Sequence, residues 1–342
     1  MSDKVRLGFV GCGNIINGHL EQGLKDFDDV AFVGWADPRT EAAEERRQQV
    51  GGQGEVFADG GEMIDKTKPD AVFIALPTFA HGEAEQAVIE RKIPFFIEKP
   101  IAIDMETALR VLEGVKRHDL LTSVGYMSRY REPVQKVKGL LKGHTPVFLI
   151  GGWANKGPSA DKPIYQWWVR KEMSGGQFTE QVTHSVDLAR YFYGDVESVY
   201  AVPVRGRKER PDFFSIEDAV MADVRFANGA AGCLYSCCCA DVGGGVTMRL
   251  QCVGMDVDFT SGKQDGVVRM AGEKPVQLTG VAAALHLEDR AFIDSVKAGE
   301  DRGILSTYED GVKTLAVSCG ADLSMATGKV VTLADGGLCL VV

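Results

Sequence analysis

Val5-Arg6-Leu7-Gly8-Phe9-Val10-Gly11-Cys12-Gly13-Asn14-Ile15-Ile16 decides the fold. Its first six residues are a strand pattern, and helical spacing runs on from the glycines through Leu20 and Leu24. Strand, glycine turn and helix amino terminus in that order form a dinucleotide-phosphate site. Gly11 permits the tight turn, and Gly13 lets a pyrophosphate approach the backbone. The N–H groups at Asn14 and Ile15, at the helix start, are placed to bind it. One residue departs from the G-x-G-x-x-G/A pattern: Ile16 stands where a small side chain normally lets helix and strand pack closely.

Outward from this stretch, Val30–Ala36 reads as a second strand ending at Asp37-Pro38-Arg39. An acid there is placed to accept both ribose hydroxyls of the adenosine half, which favours NAD. Arg39, two residues on, offers a guanidinium for a 2′-phosphate, so NADP stays open as the alternative. Strands at Val56-Phe57, Ala71–Leu76, Phe95–Ile97 and Thr122–Gly125 alternate with helices at Thr40–Val50, Gly61–Lys66, Gly82–Arg91 and Met105–His118. That alternation predicts βαβ units and a parallel sheet, whose ligands bind outside the carboxyl ends of the strands. Pro77, Thr78 and His81 follow one strand on that edge, and Glu98-Lys99-Pro100 follows another. A strand cap with a surface ion pair is the plainer reading of Glu98-Lys99. Pro100 is a candidate for a cis bond.

After Gly125 the pattern changes. A helix at Pro133–Leu141, a strand at Pro146–Trp153, a loop from Ala154 to Ile164 and one long helix at Phe178–Tyr193 are expected. Six strand-like segments follow: Val196–Arg205, Ala219–Phe226, Ala230–Cys239, Thr247–Val253, Val257–Thr260 and Val267–Met270. Short Gly-rich links between them predict antiparallel hairpins and an α+β domain. Helices at Ala284–Ala298 and Tyr308–Thr327 and a strand at Val330–Leu333 close the chain. The expected division is 1–125 and 126–342.

The chain has 342 residues, 45% of them hydrophobic and 25% charged, with a net charge of −10. That is a soluble globular composition, with no electrostatic case for nucleic acid or an anionic membrane. No run approaches the roughly 20 apolar residues of a membrane span. Met1-Ser2-Asp3-Lys4 lacks a signal-peptide pattern, so the cytoplasm is the expected compartment. The eight cysteines show no paired zinc-ligand spacing and read as reduced thiols, and no metal is expected.

Gly-x-Gly, Ala36-Asp37, Leu76-Pro77-Thr78-x-x-His81 and Glu98-Lys99-Pro100-Ile101-Ala102 occur in order. This chain therefore resembles the Gfo/Idh/MocA oxidoreductases. The resemblance implies an N-terminal Rossmann domain with a doubly wound parallel sheet. It also implies a C-terminal domain with a large open, mainly antiparallel sheet that pairs face to face in a homodimer or homotetramer. Pro77-Thr78 replaces the usual Pro-Asn.

Ser174-Gly175-Gly176 through His184 and Asp187 is similar to the family's Gly-Gly-x-x-x-Asp-x-x-x-His-x-x-Asp helix, with Glu180 for the usual Asp. On a continuous helix Glu180 and His184 share a face, with Asp187 a turn beyond. A solvated face is the bland reading of that trio, and a metal site would need a further ligand. The resemblance puts Lys99, Glu180 and His184 in catalytic roles, and Gly11, Gly13, Asn14, Ile15, Asp37, Arg39, Pro77, Thr78, His81 and Glu98 at the cofactor.

Tyr126, Asn155, Trp167 and Thr183 are the candidate substrate contacts. Arg129, Trp153, Tyr165, Trp168 and Arg170 lie in the same stretches, and the tryptophan pair reads equally as packing at an interface. An NAD(P)-dependent oxidoreductase acting on a sugar, cyclitol or related polyol is expected. The alternatives are an NAD-dependent glycoside-cleaving enzyme and a non-catalytic dinucleotide-binding regulator.

Overall fold

The computed structural model describes residues 4–280 and 284–342. The reading of Met1 to Asp3 lies outside them. Contacts divide the chain into two compact units. The first contains residues through Ala102, Glu106–Met127 and a later segment ending at Gly311; the second contains 103–105, residues from Ser128 and Val312–Val342. A single cut near residue 125 therefore does not describe the architecture, because residues 284–311 return to the first unit.

That first unit alternates β1 (Val5–Val10), α1 (Asn14–Glu21), β2 (Val30–Ala36), α2 (Thr40–Gln49), β3 (Glu55–Phe57), α3 (Gly60–Thr67) and β4 (Ala71–Ile74). It continues with α4 (Glu83–Glu90), β5 (Phe95–Ile97), α5 (Met105–His118) and β6 (Thr122–Val124). The six strands pair in parallel in the order β3-β2-β1-β4-β5-β6, the doubly wound order. β4, β5 and β6 are buried along their whole length, as strands covered on both faces must be.

Phe9, Phe32, Trp35, Phe73 and Phe96 stack through this core. Each fully buried aromatic contributes about 2–3 kcal/mol by burial. Ile16 is fully buried in the same cluster, so the departure from the small residue is absorbed by packing.

The second unit runs through α6 (Glu132–Leu141), β7 (Pro146–Ala154), the short helices α7 (Tyr165–Trp168), α8 (Lys171–Ser174) and α9 (Gln177–Glu180), and α10 (Thr183–Tyr193). Its strands follow as β8 (Val196–Val204), β9 (Ala219–Phe226), β10 (Ala231–Cys237), β11 (Gly245–Cys252), β12 (Met255–Phe259), β13 (Gly266–Met270) and β14 (Val276–Leu278). After them come α11 (Ala284–Ala298), which belongs to the first unit, α12 (Tyr308–Thr327), and the closing strands β15 (Val331–Ala334) and β16 (Cys339–Val341).

The ten strands order β14-β13-β12-β11-β7-β10-β9-β8-β15-β16. Every pairing is antiparallel except β7 with β10, since β7 precedes both hairpin sets and is flanked by them. From Val220 to Phe226 β9 alternates between buried and exposed residues, the mark of a sheet with one open face. β14, β16 and the helices α7 and α8 go beyond the sequence expectation; three or four residues are too few to show a period.

The expected helix Phe178–Tyr193 is two helices. α9 ends at Glu180 and α10 starts at Thr183. The Gln181 amide donates to the carbonyls of Trp153 and Cys237, at 3.2 Å each, which ties the chain to the ends of β7 and β10. Val182 sits at φ −97°, ψ −2°. The β-branched run Val182-Thr183 favours a break there.

Candidate functional site

Within the first unit the predicted cofactor residues gather on the carboxyl edge of the parallel sheet. Gly11 has φ +84°, and a side chain there would strike the Ala75 carbonyl oxygen, so only glycine fits. Gly13 caps α1 without a side-chain hydrogen bond, and nothing lies within 4 Å of where its Cβ would stand. The first-turn N–H groups at Asn14, Ile15 and Ile16 thus face an approach open to a phosphate.

Asp37, at the end of β2, is 6% exposed. Its Oδ2 accepts the Cys12 N–H at 2.9 Å and its Oδ1 the Arg39 N–H at 2.9 Å. A carboxylate oxygen accepts more than one hydrogen bond, so both keep capacity for a pair of hydroxyls. Burial, then the Asp37 charge, pushes the Cys12 thiol up to about 12. Arg39 extends into solvent, with Nε 3.5 Å from Asp37 Oδ1.

Beyond β4, Pro77 leads to the buried Thr78 and to His81. His81 Nδ1 lies 2.7 Å from Glu85 Oε1, and Glu85 Oε2 accepts the Gly82 N–H. The buried His81 Nε2 has no hydrogen-bond partner among the described residues. An orphaned buried nitrogen on the same sheet edge as an open glycine turn and a buried acid fits a dinucleotide.

Glu98 and Lys99 follow β5. The Glu98 side chain is buried, and its Oε2 accepts the Lys99 N–H at 3.2 Å. Lys99 is half-buried, and the Lys99–Pro100 bond is cis. Sequence reasoning missed what stands behind Glu98. His19 on α1 contacts Glu98 Oε1 through Nε2 at 3.0 Å and Asp289 Oδ1 on α11 through Nδ1 at 2.7 Å. Burial alone would push the His19 imidazole down; Asp289, then Glu98, overcome this and hold it well above its ordinary value. The readable signal was a histidine on the same helix face as Ile16 and Leu20.

In the second unit, Glu180 and His184 are half-buried and lie on opposite sides of the α9–α10 break, so the continuous-helix geometry does not hold. Phe178, Val182, Val186 and Ala189 are fully buried, as their spacing predicted. Asp187 departs from the expected polar trio. It is buried, and Arg129 grips it with Nε donating to Oδ2 at 2.9 Å and Nη2 to Oδ1 at 2.6 Å. Two of the Arg129 donor nitrogens are thereby committed to Asp187. Among the described residues no group of three or more His, Cys, Asp or Glu side chains is set to hold a metal.

Thr183 opens α10 and is buried, while Asn155 is half-buried just past β7 and accepts the Gly157 N–H through Oδ1 at 2.7 Å. Tyr126, in the first unit, is 1% exposed. Trp167 is partly exposed, whereas Tyr165 and Trp168 join Val169, Ile216 and Cys238 in a small core. Beneath the Gly175-Gly176 turn, Lys171 Nζ lies 2.8 Å from Glu217 Oε1 and 2.9 Å from Asp322 Oδ1. With Arg205 Nη2 also 2.6 Å from Glu217 Oε1 the knot has four members, and nothing in the local sequence pattern announces it.

Residues 5–126 match the family model GFO_IDH_MocA, described as an oxidoreductase family with an NAD-binding Rossmann fold, and residues 147–256 match a GFO/IDH/MocA C-terminal domain. Myo-inositol 2-dehydrogenase of Thermotoga maritima is 29% identical over 234 residues, 67% of this chain and 67% of that one. Inositol 2-dehydrogenase 3 of Saccharopolyspora erythraea is 27% identical over 344 residues, 96% of each. The structure of levoglucosan dehydrogenase in complex with NADH and levoglucosan superposes with a TM-score of 0.86 at 20% identity, covering 97% of this chain and 100% of that one. A likeness at that identity speaks for the fold.

Proposed function

Because the chain belongs to the Gfo/Idh/MocA family of NAD-binding oxidoreductases, we propose that it moves a hydride between nicotinamide and a secondary alcohol of a sugar, cyclitol or related polyol. The observation that carries this reading is the Glu98-Lys99 step at the carboxyl end of β5, on the sheet edge that already offers Gly13, Asp37 and His81 to a dinucleotide. Two relatives bearing the name inositol 2-dehydrogenase support the substrate class.

Bound NAD supplies the carbon that accepts the hydride. The turn at Gly11, Gly13, Asn14 and Ile15 binds its pyrophosphate, and Asp37, with Arg39 beside it, takes the adenosine ribose. Pro77, Thr78, His81 and Glu98 hold the remainder. His184 takes the hydroxyl proton as general base, since imidazole titrates near neutrality. The Lys99 ammonium hydrogen-bonds the reacting oxygen and stabilises the negative charge developing there. Glu180 orients His184. Tyr126, Asn155, Trp167 and Thr183 line the polyol, their rings meeting its C–H faces and their polar groups its hydroxyls. The cytoplasm is the proposed compartment, and no helix among the described residues is long and apolar enough to cross a membrane.

Purified protein given NAD or NADP and a panel of cyclitols, aldoses and sugar acids tests the reading through the absorbance of reduced nicotinamide. A rate on one class supports it, and silence with NADH binding intact sinks it. Lys99→Met is expected to lower kcat by about a hundredfold or more while NADH affinity, read by fluorescence titration, stays unchanged.

A further inference from the structure

Cys237 ends β10, Cys238 and Cys239 follow it, and none of the three plays a part in the proposed chemistry. The chain leaves the strand and bends at Cys238, so the two outer residues turn toward each other. Their sulfur atoms lie 3.5 Å apart, and both side chains are partly exposed, while Cys238 between them is buried. Closing that gap to the ~2 Å of a disulfide bond takes a further approach of about 1.5 Å between the sulfur atoms. Burial, then the hydrogen bond to Cys237, pushes the Cys239 thiol up, and either sulfur can donate in the contact.

The backbone here is tied to its neighbours. The Cys237 carbonyl accepts the Asn155 N–H at 2.8 Å and the Gln181 amide at 3.2 Å, and the Ala240 N–H donates to the Asn155 carbonyl at 2.9 Å. The same residue thus touches the start of the loop after β7 and the break between α9 and α10.

We propose that Cys237 and Cys239 form a redox-active dithiol site that exchanges with low-molecular-weight disulfides of the glutathione class. The Cys237 sulfur attacks one sulfur of the external disulfide, forming a mixed disulfide and releasing one thiol. The Cys239 sulfur then displaces the second thiol from Cys237, closing the Cys237–Cys239 bond. Two protein thiols are oxidised and one external disulfide is reduced to two thiols, which carry away the two protons. Closure pulls on the Cys237 carbonyl and so shifts Asn155 and Gln181. That coupling, unlike the exchange itself, rests on the reading of Asn155 as a substrate contact.

The full-length protein, equilibrated in reduced and oxidised glutathione over a range of ratios, tests this by thiol titration after denaturation and by peptide mass mapping. Titratable thiols are expected to fall by two from eight, with a cross-link between Cys237 and Cys239. Cys239→Ser is expected to stop at a single glutathione adduct on Cys237. Eight thiols retained while a reference dithiol oxidises in the same buffers, or a loss of two that persists in the Cys237→Ser, Cys239→Ser double variant, overturns the site. In the cross-linked protein KM for the polyol is expected to rise about threefold or more with NADH binding unchanged; an unchanged KM overturns the coupling.

Discussion

Asp37 shows how far one residue can be read from sequence alone. Its place after a second strand makes it the proposed ribose acceptor, and the structure adds that both carboxylate oxygens are already fixed by one N–H each. The carboxylate therefore needs no reorganisation to receive a diol. Asp37→Ala is expected to lower kcat/KM with NAD by about tenfold or more, and with NADP by less, since the lost hydrogen bonds to a charged acceptor are worth about 1.5–3 kcal/mol. Parallel kinetics with the two cofactors check this. His19 was not legible in the same way. A histidine on the apolar stripe of a helix predicts burial, but its two acidic partners lie 79 and 270 residues away, and no local period reports a contact at that separation.

At the scale of elements, the alternation of strands and helices in the first unit was legible from apolar runs such as Phe95–Ile97, set between Pro94 and Pro100, while the break within Phe178–Tyr193 was not. Amphipathic spacing from Phe178 to Ala189 is satisfied whether or not the helix is continuous, so the period conceals the break at Gln181-Val182. The break is set by an amide reaching the ends of two strands, a tertiary effect. α10 is held in turn by Asp187, clamped in the interior by Arg129. Arg129→Met leaves that carboxylate buried without its guanidinium and is expected to cost about 3–5 kcal/mol of stability, read from urea unfolding. A loss under about 1 kcal/mol would mean that other partners of Asp187 suffice.

For the molecule as a whole, the open face of the ten-stranded sheet carries a row in register across three strands: Val202, Met221 and Tyr235. Val202 and Met221 are 47% and 49% exposed. We propose that a second copy of the chain covers this face. Val202→Glu with Met221→Lys is expected to give a monomer in sedimentation where the parent sediments as a dimer or tetramer; a parent that is already monomeric rules the proposal out.

Acid stability has a separate source. The Arg290 hydrogen bond, against some burial and helped by Lys297, holds Asp29 at about 2. Its ordinary value is about 3.9, so this pair stabilises the fold above that pH and the contribution is lost as pH falls toward the depressed value. Asp29→Asn is expected to flatten the unfolding free energy against pH between about pH 4 and 2, read from urea unfolding, by less than about 1 kcal/mol because the pair is partly exposed.

Asp29 finds Arg290, His19 finds Asp289, and the stacked Phe73 and Phe96 meet Phe292, all on α11. During synthesis this helix leaves the ribosome only after the chain up to β14 has been made. The nucleotide-binding half of the molecule is thus begun first and finished late, with its last helix delivered after the other half has been spelled out. A gene fragment stopping at residue 127 encodes every strand of the parallel sheet, yet omits the helix that packs on its core and supplies Asp289 to the buried His19. Shuffling this half as a free-standing cassette would require the fragment 284–311 to travel with it.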